Sequence, residues 1–192
     1  MKLQNHSLTA IAAMDLARGI GFEGRIPWHI TVELNHFRKT TSSHVVIMGS
    51  KTFESLGYMR LTNRENIVIT RYPDMMRKIM MMRHLLDDGH LHFIDLQDLD
   101  SFLNRKKYEQ KKKKLFLIGG GQLFSELLPS CDELILTTIF RKYETDCKFP
   151  EISTNEFILD KVLREANPLD RSTGEHVDIS IDHYTRSKKL IG

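Results

Sequence analysis

The segment KLFLIGGGQLFSELLP, residues 114–129, decides the fold class of this chain. An apolar run of strand length leads into three consecutive glycines, and a short amphipathic helix pattern follows and stops before Pro129. Glycines at such a turn let the backbone approach a ligand closely, and the N-terminus of a helix offers free N–H groups. Two interpretations stay open, a tight strand-to-helix turn and a pyrophosphate site, although Phe124 breaks the dinucleotide fingerprint Gly-x-Gly-x-x-Gly.

Alternating strand and helix patterns continue on both sides of this segment. The other apolar runs of strand length lie at 8–14, 44–49, 66–70, 91–94 and 133–139. Helix patterns lie between several of them, at 30–41, 51–57, 96–107 and 121–128. Such alternation predicts an α/β fold with a central, mostly parallel sheet and flanking helices. Near the end, EFILDKVLRE and HVDISIDHYTR flank the turn-rich NPLDRSTGE, which predicts a C-terminal antiparallel hairpin.

Length and composition restrict the classes of protein to be considered. The 192 residues show no internal repeat and no linker, so residues 1–192 are predicted to form one domain. A net charge of +3 does not indicate a polyanionic partner. The two cysteines, Cys131 and Cys147, lack metal-type spacing and suit a reducing cytosol, so no metal site is predicted. No apolar run approaches the ~18 residues of a membrane span, so a cytoplasmic location is expected.

Two stretches of biased composition each have two interpretations. The methionine-rich residues 72–83 form either a flexible partner-binding surface or, as we favour, an irregular helix with some core methionines. The basic residues 105–114 form either a nucleic-acid patch or, as we favour, a solvated helix end beside a loop. The second interpretation is favoured because this stretch contains one aromatic residue and ends directly on a strand.

The segment RIPWHITVELNHFRK, residues 25–39, places a carboxylate on an apolar face. On a helix that starts at Ile30, the side chains of Ile30, Glu33, Leu34 and Phe37 fall within roughly 100° of each other. A carboxylate there either bends out to water from the edge of the stripe or serves as a functional group at the floor of a cleft. A buried carboxylate must be hydrogen-bonded or protonated, because losing its hydration is costly.

Further segments suggest a phosphorylated ligand and a mobile loop. VVIMGSKTFESLG, residues 45–57, lacks the glycines of a P-loop but leads by a Gly turn into a helix whose first turn contains Lys51 and Thr52. Arg71, which follows Thr70 at the end of a strand, could clamp a phosphate together with Lys51. The long, glycine-containing connection 14–29 is predicted to act as a lid. Together these features suggest an enzyme that binds a phosphorylated cofactor beside an uncharged, nitrogen-rich substrate.

From the first strand to the last hairpin, the sequence resembles dihydrofolate reductase. The resemblance is carried, in order, by IAAM, GIG in the lid, IPW with an acid five residues after the Trp, VIMGSKTFESLG, Arg64, NIVITR, LIGGGQLF, LTTI and D-x-x-FP at 146–150. It implies the fold of that family and hydride transfer from NADPH to C6 of 7,8-dihydrofolate, with protonation of N5. It also implies a monomeric enzyme that takes a small-molecule folate, is inhibited by antifolates, and has no nucleic-acid or membrane partner.

The resemblance also implies a role for each matched residue. Glu33 would accept paired hydrogen bonds from the pterin, Thr137 would bond the same carboxylate, and Trp28 would hold an ordered water. Arg64 would pair with the α-carboxylate of the glutamyl tail, and Asp146 would steady the lid. The residues expected around the substrate are Ile11, Leu34, Phe37, Ser55, Arg64 and Ile118. Those expected to bind NADPH are Ala13, Ile20, Lys51, Thr52, Thr70, Arg71, Gly119, Gly120, Gly121, Gln122 and Leu123, with a cis peptide between the first two glycines of the triplet.

The sequence departs from the family pattern in three places. Phe124 stands where many members have Tyr, residues 58–63 lack the usual prolines, and the region 72–114 is longer and more basic. The alternative function is a related reductase of the same fold that acts on another pterin or on a pyrimidine of riboflavin synthesis. Pro27, Trp28 and Glu33 disfavour that alternative, because its members generally lack the Pro-Trp pair and the helical acid.

Overall fold

The computed structural model describes residue 3 and residues 6–83, 89–108 and 112–187. Its strands are β1 (Leu8–Asp15), β2 (Gly19–Gly21), β3 (Val45–Gly49), β4 (Glu65–Ile69), β5 (Leu91–Ile94), β6 (Leu115–Gly119), β7 (Glu133–Ile139), β8 (Cys147–Lys148), β9 (Phe157–Ala166), β10 (Leu169–Asp170), β11 (Glu175–His176) and β12 (Ile179–Arg186). Its α-helices are α1 (Thr31–Thr41), α2 (Ser50–Ser55), α3 (Pro73–Met82), α4 (Leu99–Lys106) and α5 (Gly121–Leu127), and short 3-10 turns occupy Leu96–Asp98 and Leu128–Ser130.

An eight-stranded sheet with the order β5-β4-β3-β6-β1-β7-β12-β9 forms the centre of the molecule. Every neighbouring pair from β5 to β7 is parallel, whereas β12 runs antiparallel to both β7 and β9. The predicted α/β class, with a mostly parallel sheet and a C-terminal antiparallel hairpin, is therefore confirmed. The predicted helix at 96–107 differs in detail, because Asp95 caps a 3-10 turn by accepting a hydrogen bond from Gln97 N (3.0 Å), and α4 starts only at Leu99.

The central strands are apolar throughout because helices cover both faces of the sheet. Along β3, alternate side chains enter different cores: Ile47 packs with residues of α4 and α5, whereas Val46 and Met48 pack with residues of α2 and α3. This arrangement places the carboxyl ends of the parallel strands at one edge of the sheet, which is where ligands bind in open α/β sheets.

The two stretches of biased composition have ordinary structural roles where they are described. Residues 73–82 form α3, in which Met80 is fully buried while Met82 is 81% exposed, so the interpretation as a helix with some core methionines is confirmed. The basic stretch 105–114 includes the end of α4, but its residues 109–111 lie outside the described residues. Within the described ranges, no helix is long and apolar enough to span a membrane.

A buried amide holds the loop between α2 and β4. Asn66, the second residue of β4, has no exposed surface. Its Nδ2 donates to Leu61 O (3.0 Å) and Arg64 O (2.9 Å), and its Oδ1 accepts from Leu61 N (2.9 Å). The side chain therefore satisfies backbone groups that have no strand partner and fixes the position of Arg64.

We expect Asn66→Ala to lower the free energy of unfolding by about 2–3 kcal/mol, because buried backbone groups lose their partners. Urea unfolding monitored by circular dichroism measures this change. Asn35→Ala is the matched control, since Asn35 is exposed on α1, and it should alter the free energy of unfolding by less than ~0.5 kcal/mol. Equal losses in the two variants would contradict the role of Asn66.

Candidate active site

Glu33 lies in the first turn of α1, and its side chain is only 8% exposed. The structure therefore excludes the first of the two interpretations of this carboxylate, because Glu33 does not bend out to water. Burial raises its pKa from the ordinary 4.5 to about 7. No neighbouring charge or hydrogen bond from the described residues offsets that effect. A carboxyl group of this kind can hold or release a proton at neutral pH, and it can accept hydrogen bonds from a ligand.

Apolar side chains line the same side of the sheet beside α1. Ile11, from β1, is 5% exposed and belongs to a cluster against which Phe37 and Ile118 pack. Leu56 and Leu61 pack against this cluster too. Sequence reasoning missed these two leucines, of which Leu56 precedes the 58–63 loop and Leu61 lies within it. Leu34, the neighbour of Glu33, is half-buried.

Trp28 is buried close to the start of α1, and Thr137 is buried in the sheet. Trp28 is 6% exposed and packs in a cluster with Ile30. Its Nε1 is buried without an acceptor among the described residues, so this donor fits an ordered water or a ligand. Thr137, on β7, is 3% exposed and lies opposite Ala13 of β1. In the described part of the chain its hydroxyl makes no direct hydrogen bond to Glu33.

Arg64 is a buried cation that lacks an anionic partner. The residue is 8% exposed, and its guanidinium donates to Thr41 Oγ1 (3.0 Å) and to Thr62 O (2.9 Å). Burial lowers its pKa, and the charge of nearby Arg38 lowers it further. No carboxylate of the described residues pairs with it. A ligand carboxylate would supply the missing charge, since buried charges are stable only when paired.

The glycine triplet forms a narrow turn between β6 and α5. The peptide between Gly119 and Gly120 is cis, as the resemblance implies. Gly119 has φ +120°, and a Cβ added to Gly120 would lie only 3.2 Å from Thr52 Oγ1. A Cβ on Gly121 would lie 2.7 Å from Cys147 Sγ, which is closer than real contacts allow. The turn itself therefore presents only backbone atoms, and the side chains of Thr52 and Cys147 lie directly beside it.

The remaining residues expected at the cofactor lie around this turn or at the same edge of the sheet. Lys51 is exposed in the first turn of α2, which follows β3, and Arg71 is exposed just after the neighbouring parallel strand β4. Thr70 Oγ1 accepts a hydrogen bond from Tyr72 N (3.2 Å). Gln122 donates to Glu126 (2.9 Å) on the surface of α5. Neither α2 nor α5 begins with a side-chain cap.

Three positions expected at a ligand differ in exposure. Leu123 is 6% exposed and packs in the core beneath α5. Ile20 is half-buried in the lid, with its Cδ1 3.8 Å from the point that a Cβ on Gly121 would occupy. Ser55, which was expected in the substrate site, is the last residue of α2 and is exposed. Its hydroxyl donates to Thr52 O of the same helix (2.7 Å).

The lid is held by an antiparallel pair of short strands and by two carboxylates. In this pair β2 lies against β8. Asp146 N donates to Gly21 O (3.0 Å), and Asp146 Oδ2 accepts from Glu23 N (2.9 Å). Asp15 is 1% exposed, and its Oδ1 accepts from Gly19 N (2.6 Å) at the start of the lid. Sequence reasoning missed Asp15, although an acid that directly follows an apolar strand and precedes a glycine-rich loop was a usable signal.

Two further residues escaped sequence reasoning altogether. Asp170, between the two long strands of the C-terminal hairpin, accepts a hydrogen bond from His29 N (2.9 Å), which follows Trp28 in the chain. Tyr143 packs its ring 5.2 Å from the ring of Trp28. Asp170 and His29 are 141 positions apart in the sequence, and nothing local signals such a contact.

Comparison with known proteins gives a consistent result. The family description "Dihydrofolate reductase" matches residues 7–186. The dihydrofolate reductase of Bacillus subtilis (strain 168) is 37% identical over 152 residues, which cover 79% of this chain and 80% of that protein. The dihydrofolate reductase of Staphylococcus aureus (strain N315) is 32% identical over 144 residues, which cover 75% of this chain and 78% of that protein.

The comparison of structures agrees with the comparison of sequences. The solved structure of dihydrofolate reductase from Enterococcus faecalis, complexed with NADP(H) and RAB-propyl, matches with a TM-score of 0.72 at 26% identity. The match covers 95% of this chain and 97% of that chain. The fold expected from the resemblance is confirmed, and the chain belongs to the dihydrofolate reductase family.

Proposed function

We propose that this protein reduces 7,8-dihydrofolate to 5,6,7,8-tetrahydrofolate with NADPH. The observation that carries the proposal is the buried Glu33 carboxylate, whose pKa is raised to about 7 by the loss of hydration. A flat heterocycle with an adjacent ring N–H and amino group can satisfy both oxygens of such a carboxylate. Family membership and the NADP(H) complex of the Enterococcus faecalis enzyme support the same activity.

Glu33 has the proton-handling role in this mechanism. When bound, NADPH supplies the hydride that adds to C6 of the pterin. Because the pKa of Glu33 is about 7, the protonated and ionised forms are both populated at neutral pH. The protonated form of Glu33 can supply a proton, and Trp28 Nε1, a buried donor without an acceptor among the described residues, would hold the water that delivers it to N5.

The other charged residues position the two ligands. Arg64 holds the α-carboxylate of the glutamyl tail, because its buried guanidinium has only neutral partners among the described residues. The turn Gly119–Gly121 and Thr52 hold the pyrophosphate and the nicotinamide ribose, since the glycines present only backbone atoms and the Thr52 hydroxyl lies beside Gly120. Lys51 and Arg71, exposed at the ends of neighbouring strands, select the 2′-phosphate. Asp146 holds one conformation of the lid through Glu23 N.

The alternative activity on a riboflavin-pathway pyrimidine or another pterin is not favoured, since the relatives reported above are dihydrofolate reductases. We propose further that the enzyme is a monomer, is inhibited by antifolates, and works in the cytoplasm without a nucleic-acid or membrane partner. The free thiols of Cys131 and Cys147 are compatible with a reducing compartment.

The activity is tested by NADPH oxidation, followed at the nicotinamide absorbance band with and without dihydrofolate. We expect oxidation that depends on dihydrofolate and a strong preference for NADPH over NADH, because Lys51 and Arg71 pair with the 2′-phosphate. Replacing both residues with Ala should raise KM for NADPH and so lower the ratio of kcat/KM for NADPH to kcat/KM for NADH. Equal kcat/KM for NADPH and NADH in the unaltered protein would contradict the assignment of these two residues to the 2′-phosphate.

We expect Glu33→Gln to lower the hydride-transfer rate at neutral pH by at least ~10²-fold, the scale of a lost acid–base group. In the unaltered enzyme the rate should decrease as pH rises through about 7, where Glu33 loses its proton. Stopped-flow rates from mildly acidic to alkaline pH measure both effects. Glu151→Gln, at an exposed glutamate, is the matched control. A fully active Glu33→Gln enzyme would show that the catalytic assignment is wrong.

Glu33 also predicts how stability depends on pH. The pKa of about 7 in the folded state lies above the ordinary 4.5, so the folded protein binds this proton more tightly than the unfolded chain does. The free energy of unfolding contributed by Glu33 is therefore greatest below about 4.5 and decreases as pH rises towards about 7. Urea unfolding across this range should show the slope in the unaltered protein, and Glu33→Gln should remove that component.

We expect Arg64→Ala to weaken binding of dihydrofolate by about 2–4 kcal/mol, because a charge-assisted pair with the tail is lost. Pterins without the glutamyl tail should bind both proteins alike, as measured by fluorescence titration. Arg105→Ala, at an exposed arginine of α4, should leave both affinities unchanged. If full-length and tail-less ligands lose affinity equally, Arg64 has another role.

A further inference from the structure

Asp170 is a fully buried carboxylate that the proposed reaction does not use. It has no exposed surface, and each of its oxygens is engaged. Oδ1 accepts from His29 N (2.9 Å), Ser172 N (2.9 Å) and Ser172 Oγ (2.7 Å), and Oδ2 accepts from the Tyr143 hydroxyl (2.6 Å). Four hydrogen bonds to one carboxylate restrict its movement, and they equally restrict the movement of the groups that donate them.

These donors surround the entry to α1. The Asp170 carboxylate bonds the backbone of His29, Arg171 N donates to His29 O (3.0 Å), and Ile30 forms an isolated bridge with Asp170. The N-terminus of α1 has no side-chain cap of its own. Residues at the tip of the C-terminal hairpin therefore bond the backbone just before α1, in place of a side-chain cap. They fix the backbone between Trp28 and the first turn of α1, which contains Glu33.

The same carboxylate reaches Trp28 by a second route. The Tyr143 ring packs against the Trp28 ring at 5.2 Å with an interplanar angle of 59°, a favourable tilted arrangement. The Tyr143 hydroxyl is oriented by Asp170, and Tyr143 N donates to Asp15 Oδ2 (2.9 Å). Since Asp15 also holds the start of the lid at Gly19 (2.6 Å), one network links the hairpin tip, the indole and the lid.

The charge state of Asp170 fits this role. Burial by itself raises the pKa of a carboxyl group, but the Tyr143 hydroxyl and the donors at His29 and Ser172 outweigh that effect, so the pKa of Asp170 is lowered. Conversely, burial and the bond to Asp170 raise the pKa of Tyr143. Asp170 therefore stays ionised and Tyr143 stays a donor throughout the neutral range.

We infer that Asp170 is a positioning residue of the active site, which fixes Trp28 and the first turn of α1, and with them Glu33. This inference deepens the proposed function and rests on it for its effect on the reaction. Its effect on Trp28 is independent of any reaction. A residue that only stabilised the hairpin would change neither.

The test uses Asp170→Asn, which keeps the shape of the side chain but places an amide where the Tyr143 hydroxyl and the backbone donors need an acceptor. Trp28 is the only tryptophan in the sequence, so its fluorescence reports on this site alone. Emission maximum, acrylamide quenching, single-turnover hydride transfer and NADPH affinity are measured on the full-length protein. Asp178→Asn is the control, because Asp178 is exposed in the same hairpin and its side chain accepts a hydrogen bond from the surface residue Asn167 (2.5 Å).

We expect Asp170→Asn to shift the emission of Trp28 to longer wavelength, to increase its quenching by acrylamide, and to slow hydride transfer by about tenfold through misplacement of the reacting groups. KM for dihydrofolate should increase more than Kd for NADPH, since the Asp170 carboxylate bonds the entry to α1 directly and reaches the lid only through the backbone of Tyr143. Asp178→Asn should match the unaltered protein in all of these measurements.

Unchanged Trp28 emission and hydride transfer in a folded Asp170→Asn protein would overturn the inference. If circular dichroism shows that Asp170→Asn does not fold, Tyr143→Phe replaces it, because this change removes only the hydroxyl and should still alter Trp28 emission and slow hydride transfer. An unaltered Trp28 signal in Tyr143→Phe would then overturn the inference. If the unaltered protein does not oxidise NADPH with dihydrofolate, the proposed function fails, and the fluorescence measurements alone decide on the positioning of Trp28.

Discussion

The buried carboxylate of Glu33 is the constraint around which the rest of the molecule is arranged. Desolvation of a carboxylate costs several kcal/mol, and here it is expressed as a pKa raised to about 7. The free protein carries this cost without a hydrogen bond or charge from the described residues to offset it. The large two-sided core supplies the stability that permits it, and a ligand with complementary donors recovers it on binding.

The glycine turn Gly119–Gly121 is constrained by the close packing of its neighbours. A ligand that is held by backbone atoms needs a surface without side chains, and the neighbours of the triplet leave no space for them. Thr52 faces Gly120, and Cys147 of β8 packs against Gly121. The strand that pairs with the lid thus also touches the turn that is expected to hold the cofactor. The predicted lid and the turn that is expected to hold the cofactor therefore share one small set of contacts.

Sequence reasoning was successful where the determining interactions are local. The six apolar strands β1 and β3 to β7 and the helices α1, α2 and α5 follow from apolar periodicity and from glycine turns, which are patterns of short sequence segments. The short strands β2, β8, β10 and β11 were not predicted. Glu33 was ambiguous, because a residue at the edge of an apolar stripe can face either way, and only the packing of other strands decides. Asp170 and Tyr143 were missed because their partners are distant in sequence, and a short polar residue in a turn-rich segment ordinarily indicates nothing more than a turn. The roles of the matched residues came from the resemblance, and the structure adds the exposure and bonding that make each role testable.

The position of β1 in the sheet has a consequence for folding during synthesis on the ribosome. This first strand lies between β6 and β7, so its two hydrogen-bonding edges are completed only by residues 115–119 and 133–139. On the ribosome, β3, β4 and β5 can associate early because they are neighbours in both sequence and space, whereas β1 waits for segments made much later. At roughly 5–20 residues per second, that wait lasts on the order of ten seconds. During this interval an apolar strand that will become the centre of the sheet is unpaired, so the nascent chain is most prone to aggregate, and most dependent on chaperones, before β7 emerges.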